Sequence, residues 1–119
     1  KKVIKLVGLD ESYLERSPFD LSGGQKRRIA IAGILAMDPD ILILDEPTRG
    51  VDVKTKAEIY SLINELAKKG LAIIMVSSEL PELINMSDRI VAFSSGYTTG
   101  ELSRNEFSQE RIMTMATER

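Results

Sequence analysis

Two short segments carry most of the chemistry that this sequence could do. Leu21-Ser22-Gly23-Gly24-Gln25 sets two glycines beside a serine at a point where a helix can begin. The glycines leave backbone N–H groups uncrowded, the serine adds a hydroxyl donor, and a helix dipole places positive potential there, all suited to a polyphosphate and its γ-phosphate. A glycine-rich turn capped by Ser22 would need the same residues. Downstream, Ile41-Leu42-Ile43-Leu44-Asp45-Glu46-Pro47-Thr48 is an apolar run ending on adjacent carboxylates. Asp45 can hold Mg²⁺ directly or through water, and Glu46, pointing the other way along an extended chain, can orient an attacking water. Acids at a strand end can also merely cap the next loop; the succession of the two segments favours the chemical reading.

The elements that must position these residues can be read from periodicity. Val3 to Val7 end a helix stopped by Gly8, and Asp10 to Asp20, with Pro18, form a loop or a short helix. A helix is expected from about Gly23 to Met37, with Ile29, Ile31, Ile34 and Leu35 as its apolar stripe and Asp38-Pro39 as its stop. Ile41 to Leu44 read as a strand buried on both faces of a parallel sheet. Asp52 caps the next helix, whose Ile59, Leu62, Ile63 and Leu66 repeat at helical spacing before Lys68-Lys69-Gly70. Leu71 to Val76 form a strand, Glu79 to Met86 a short helix and Arg89 to Phe93 a third strand, after which Ser94-Ser95-Gly96 reads as a hairpin turn into Tyr97 to Leu102. The capping-box spacing of Ser103 and Glu106 introduces a last helix with Phe107, Ile112 and Met115. This alternation is that of an α/β protein with a parallel sheet.

Composition narrows the function. With 119 residues the chain fits one domain or part of one, and 43% apolar with 29% charged residues describes a folded, soluble protein. The formal net charge of -2 gives no footprint for nucleic acid, and no apolar run approaches the ~20 residues of a membrane span. Having neither Cys nor His, the chain forms no disulfide and no zinc site and has no imidazole for acid–base work. It opens Lys1-Lys2-Val3 without Met or a signal-peptide pattern, which reads as a segment of something longer. Lys26, Arg27 and Arg28 are expected to lie on a solvated helix face, and Met113 and Met115 to serve packing.

Together the two segments resemble the ATP-binding cassette (ABC) ATPase family over essentially the whole chain. Leu21 to Gln25 looks like the signature motif, Ile41 to Glu46 like Walker B and Arg49-Gly50-Val51-Asp52 like the D-loop. The resemblance implies a partial P-loop NTPase core of RecA-like type with parallel strands and flanking helices, preceded by the end of the helical subdomain (1–38, then 39–119 within one partial domain). It further implies that Leu21, Ser22, Gly23, Gly24 and Gln25 face the γ-phosphate of ATP held by an opposite cassette, that Asp52 lies across that dimer interface, that Asp45 serves Mg²⁺, and that Glu46 is catalytic. The partners would be a second cassette and transmembrane permease subunits, with the chain in the cytoplasm on the inner face of the membrane.

Three departures qualify the resemblance. Ser78, in Val76-Ser77-Ser78-Glu79-Leu80-Pro81-Glu82, stands where the family places its switch His. That segment, Met86-Ser87-Asp88-Arg89-Ile90 and Gly100-Glu101-Leu102-Ser103-Arg104 look like the second cassette of ribose- and galactose-type sugar importers. Glu15 to Pro47 instead looks like cassettes of energy-coupling-factor importers for cobalt and vitamins, as in a mosaic, a divergent member or a chimera. Finally, no Gly-x-x-x-x-Gly-Lys-Ser/Thr occurs, so the cradle for the β- and γ-phosphates is absent and the chain is expected to be inactive alone. The other reading is a non-catalytic α/β fragment that keeps the motifs only as ancestry.

Overall fold

The computed structural model describes residues 2–17 and 21–118. Pro18, Phe19 and Asp20, which the sequence assigns to the connector before the signature segment, lie outside the described residues. The chain divides into two compact units, Lys1–Val76 and Ser77–Arg119.

In the first unit α1 (Lys2–Leu6) is followed by a 3-10 turn (Glu11–Glu15), α2 (Gly23–Leu35), β1 (Ile41–Asp45), α3 (Val53–Lys68) and β2 (Ala72–Val76). Helix α1 stops at Gly8, whose φ of 76° is the left-handed conformation that glycine adopts without penalty. Helix α2 is shorter than its apolar pattern suggests: Met37 and Asp38 already turn away, with Asp38 at φ 52°. Strands β1 and β2 pair in parallel, from Ile41 opposite Ala72 to Asp45 opposite Val76, with α3 as the crossover. Helix α3 buries Ile59, Leu62, Ile63 and Leu66, the four positions its periodicity marks.

Strand β1 departs from its expected burial on both faces. Leu42 and Leu44 are buried, whereas Ile41 is 57% and Ile43 65% exposed; on β2, Ile74 and Val76 are exposed in the same way. Side chains alternate across a strand, so a sheet of β1 and β2 covered on one side by helices leaves every second residue in solvent. The stripe expected on α2 is likewise only partly buried. Ile31 and Ala32 enter the core, and Ile34 stays 39% exposed.

The second unit holds α4 (Leu80–Met86), β3 (Arg89–Ser94), β4 (Tyr97–Ser103), a 3-10 turn (Arg104–Glu106) and α5 (Gln109–Thr117). The third strand does not extend the parallel pair. Ser95 and Gly96 both have positive φ, 53° and 84°, which makes the tight turn that folds β3 back on β4 as an antiparallel hairpin. Ile90, Leu102 and Ile112 form its core, packed by Leu80, Leu83, Ile84, Phe107 and Met115. The pairing of Ser103 with Glu106 does form, but around the 3-10 turn: the Ser103 N–H and hydroxyl both donate to Glu106 Oε1, at 3.1 and 2.6 Å. Helix α5 starts later, where Ser108 Oγ accepts from the Arg111 N–H at 3.1 Å. No helix among the described residues is long and apolar enough to cross a membrane.

Candidate nucleotide-facing site

The signature-like segment opens α2. Ser22 is the N-cap: its Oγ accepts from the Gln25 N–H at 3.1 Å, and Gln25 Oε1 accepts from the Ser22 N–H at 3.0 Å, a reciprocal capping box. Gln25 Nε2 donates to Tyr13 Oη at 3.1 Å, so this glutamine ties the helix start to the preceding turn and is committed to structure. The Ser22 hydroxyl accepts one bond in the cap and keeps its own proton to donate. Leu21, just before it in the chain, is half-buried.

The two glycines have different surroundings. Around Gly23, which is exposed, a Cβ would meet nothing within 4 Å, so its backbone is open to a ligand. Gly24 is buried, and a Cβ there would fall 2.2 Å from Thr55 Cγ2 on α3. A single sequence does not distinguish such neighbours, because both read simply as glycine at a helix start.

At the carboxyl end of β1 the ladder runs one bond beyond Asp45, the Glu46 N–H donating to Val76 O at 2.8 Å. Glu46 then takes φ 48°, a left-handed conformation rarely used by residues with a side chain, and the chain swings out of the sheet into Pro47. Asp45 is exposed and Glu46 half-buried, while Pro47 and Thr48 behind them are buried. Among the described residues no group of three or more His, Cys, Asp or Glu could hold a metal by itself. A pair of carboxylates at a strand end suits a cation such as Mg²⁺, which keeps several waters and takes its other ligands from substrate phosphates.

Asp52 caps α3, its carboxylate accepting from the Thr55 N–H at 2.7 Å. That backbone bond, with the Thr55 side chain assisting, holds the Asp52 carboxyl below the usual carboxylate range. Thr55 therefore meets Asp52 through its amide and Gly24 through its methyl. Ser78 is exposed two residues beyond the end of β2, and the neighbouring Ser77 Oγ accepts from the Glu79 N–H at 3.0 Å. A surface depression of about 380 Å³ among the described residues lies along Leu6, Val7, Arg28, Glu58 and Leu62, away from these residues.

One expectation requires correction. Lys26 is exposed as expected, but Arg27 and Arg28 are not on a solvated face. Arg28 pairs with Glu58 of α3 at 2.5 Å, and Arg27 donates through Nη1 to Pro47 O and through Nη2 to Arg49 O. Both guanidiniums cross to segments far away in sequence, which no local pattern announces.

A parallel strand–helix–strand unit with acids at the strand's carboxyl end, preceded by a helix that opens on Ser-Gly-Gly, has the α/β architecture of part of a P-loop NTPase core. Residues 1–49 match the family model described as ABC transporter. The chain is similar to the ribose import ATP-binding protein RbsA of Bacillus licheniformis, 52% identical over 97% of this chain and 23% of that protein. It is also similar to the xylose import ATP-binding protein XylG of Geobacillus kaustophilus, 50% identical over 98% of this chain and 23% of that protein. Among solved structures, the ATP-binding cassette MJ0796 in a dimeric post-hydrolysis state with ADP and Pi superposes with a TM-score of 0.72 and 31% identity, covering 89% of this chain and 46% of that one. The chain thus spans about a quarter of the length of the curated relatives it matches. The alignments to these sugar-import proteins cover 97–98% of the chain and so span both sides of Pro47.

Proposed function

We propose that residues 1–119 are one partial ABC domain of a sugar-import ATPase, supplying the signature motif and Walker B carboxylates to a nucleotide sandwiched between two cassettes. The observation that carries this reading is the likeness to ribose and xylose import ATP-binding proteins at 50% identity or more across nearly the whole chain. The local geometry supports it: an open α2 start at Ser22 and Gly23, and adjacent carboxylates delivered by β1.

In this reading the Ser22 hydroxyl and the Gly23 amide donate to the γ-phosphate, Leu21, Gly24 and Gln25 hold that helix start in shape, and Asp52 fixes the loop at the cassette interface. Asp45 would hold Mg²⁺, which would supply positive charge against the phosphates. Glu46 orients the attacking water and accepts its proton. Ser78, lacking a titratable group in the physiological range, contributes a hydroxyl hydrogen bond and no charge. The 119-residue chain has no phosphate cradle of its own sequence, so turnover requires a segment bearing a P-loop. Its partners are that segment, a second cassette and transmembrane permease subunits, which hold it to the cytoplasmic side of the membrane.

The test is ATP hydrolysis by this chain assembled with a P-loop-bearing cassette segment, in comparison with the chain alone. Turnover that appears on assembly and vanishes in Glu46→Gln, with ATP still bound, is the expected result. An assembly that binds ATP and hydrolyses it equally well with Gln at 46 would sink the assignment of Glu46, and one that binds no ATP would favour a fragment keeping its motifs only as ancestry.

A further inference from the structure

We propose that Arg27 is a positioning residue for hydrolysis, its guanidinium clamping the loop that leaves Glu46 to the helix that opens at Ser22. The inference rests on the reading of Glu46 and Ser22 given above. It starts from an account of backbone carbonyls. After β1 the chain has no regular structure until α3, yet its buried stretch must satisfy each polar group. Glu46 O accepts from the Arg49 N–H at 3.2 Å and Thr48 O from the Val51 N–H at 3.3 Å. The two carbonyls between and after them, Pro47 O and Arg49 O, accept from the two arms of the Arg27 guanidinium. Every carbonyl from 46 to 49 is thus engaged, alternately within the turn and by Arg27.

Arginine is suited to this task. Its rigid planar fork can satisfy two acceptors at a fixed separation, whereas the single ammonium of lysine offers a point charge. The fork sits on α2 just beyond the capping box that fixes Ser22 and Gln25, and its first acceptor belongs to the residue directly after Glu46. The helix start that faces phosphate and the turn that aims the carboxylate are therefore fastened together by one side chain. The adjacent cations serve elsewhere: Lys26 is exposed, and Arg28 is paired with Glu58. Loosening the clamp leaves each motif intact but lets Glu46 drift relative to α2, and a misplacement of about 1 Å can cost on the order of 100-fold in rate.

The test compares Arg27→Lys, Arg27→Gln and, as a control, Lys26→Ala in the assembled ATPase, with amide hydrogen exchange measured on the same samples. The expected result is a loss of about 10-fold or more in kcat for both Arg27 variants, with KM for ATP within about twofold of the parent. Exchange at Arg49 and Val51 should rise about 10-fold while β1 and α3 keep their protection, and Lys26→Ala should behave as the parent. Two results would overturn the proposal: Arg27→Lys restoring both kcat and loop protection, since charge alone would then suffice, or kcat falling with no change in loop exchange. If instead Glu46→Gln keeps turnover, the underlying reading of Glu46 fails, and loop exchange alone still decides whether the clamp exists.

Discussion

Thr55 stands where a side chain at position 24 would have to go. An added Cβ at Gly24 falls 2.2 Å from Thr55 Cγ2, far inside contact distance, yet 3.5 Å from Thr55 Oγ1. The second glycine of the signature-like segment is therefore required by the approach of α2 to α3, and the first, with open space around it, is not.

Gly24→Ala should lower stability by about 1–3 kcal/mol, as overpacking typically does, and Thr55→Ser, which removes only the offending methyl, should recover most of the loss. Gly23→Ala should stay within about 0.5 kcal/mol of the parent. Denaturant unfolding of the three variants and the Gly24→Ala/Thr55→Ser pair checks this; equal costs at 23 and 24 would refute it.

The cap at Ser22 can be separated from a phosphate contact. Ser22→Ala loses the side-chain acceptor and should cost about 1 kcal/mol, whereas Ser22→Asp keeps an acceptor at the helix start and should retain stability. If Ser22 also faces ATP, Asp there repels the phosphates, so the assembled ATPase should lose nucleotide affinity in both variants. Aspartate retaining full affinity would assign Ser22 to capping only.

Asp52 makes one contribution to acid stability predictable in sign. Its folded carboxyl lies below the ordinary range because the Thr55 amide donates to it, so its stabilisation is fully present above the unfolded value of about 4. That stabilisation is lost as pH falls through the lowered folded value. Asp10 and Glu106 act in the same direction through bonds from Ser12 and Ser103. Asparagine at 52 still caps but does not titrate, so the difference in unfolding midpoint between parent and Asp52→Asn should be flat from neutral pH to about 4 and change only below it. A difference that changes near neutral pH would point to another group.

Burial on one face of β1 predicts unequal costs for neighbouring residues. Leu42→Ala should cost about 2–5 kcal/mol in the isolated chain and Ile43→Ala less than about 1 kcal/mol, since Leu42 is 1% and Ile43 65% exposed. Comparable losses at both positions would mean that the outer face of the sheet is covered in solution.

The sequence by itself determined the alternation of strands and helices, the four core positions of α3, the capping of α2 by Ser22 and of α3 by Asp52, and the delivery of Asp45 and Glu46 at a strand end. These depend on periodicity, on local capping bonds and on the fixed direction of side chains along an element, all of which lie within a few residues. Tertiary structure alone decided that β1 is covered on one side, that β3 does not join the parallel pair, that Gly24 meets Thr55 and that Arg27 reaches Pro47 and Arg49. Each of those depends on residues 20 or more apart meeting in space or on which sheet a strand joins. A cation beside a glycine-rich helix start carries no local mark of the carbonyls it will meet, because those carbonyls are brought to it only when the β1–α3 turn packs against α2.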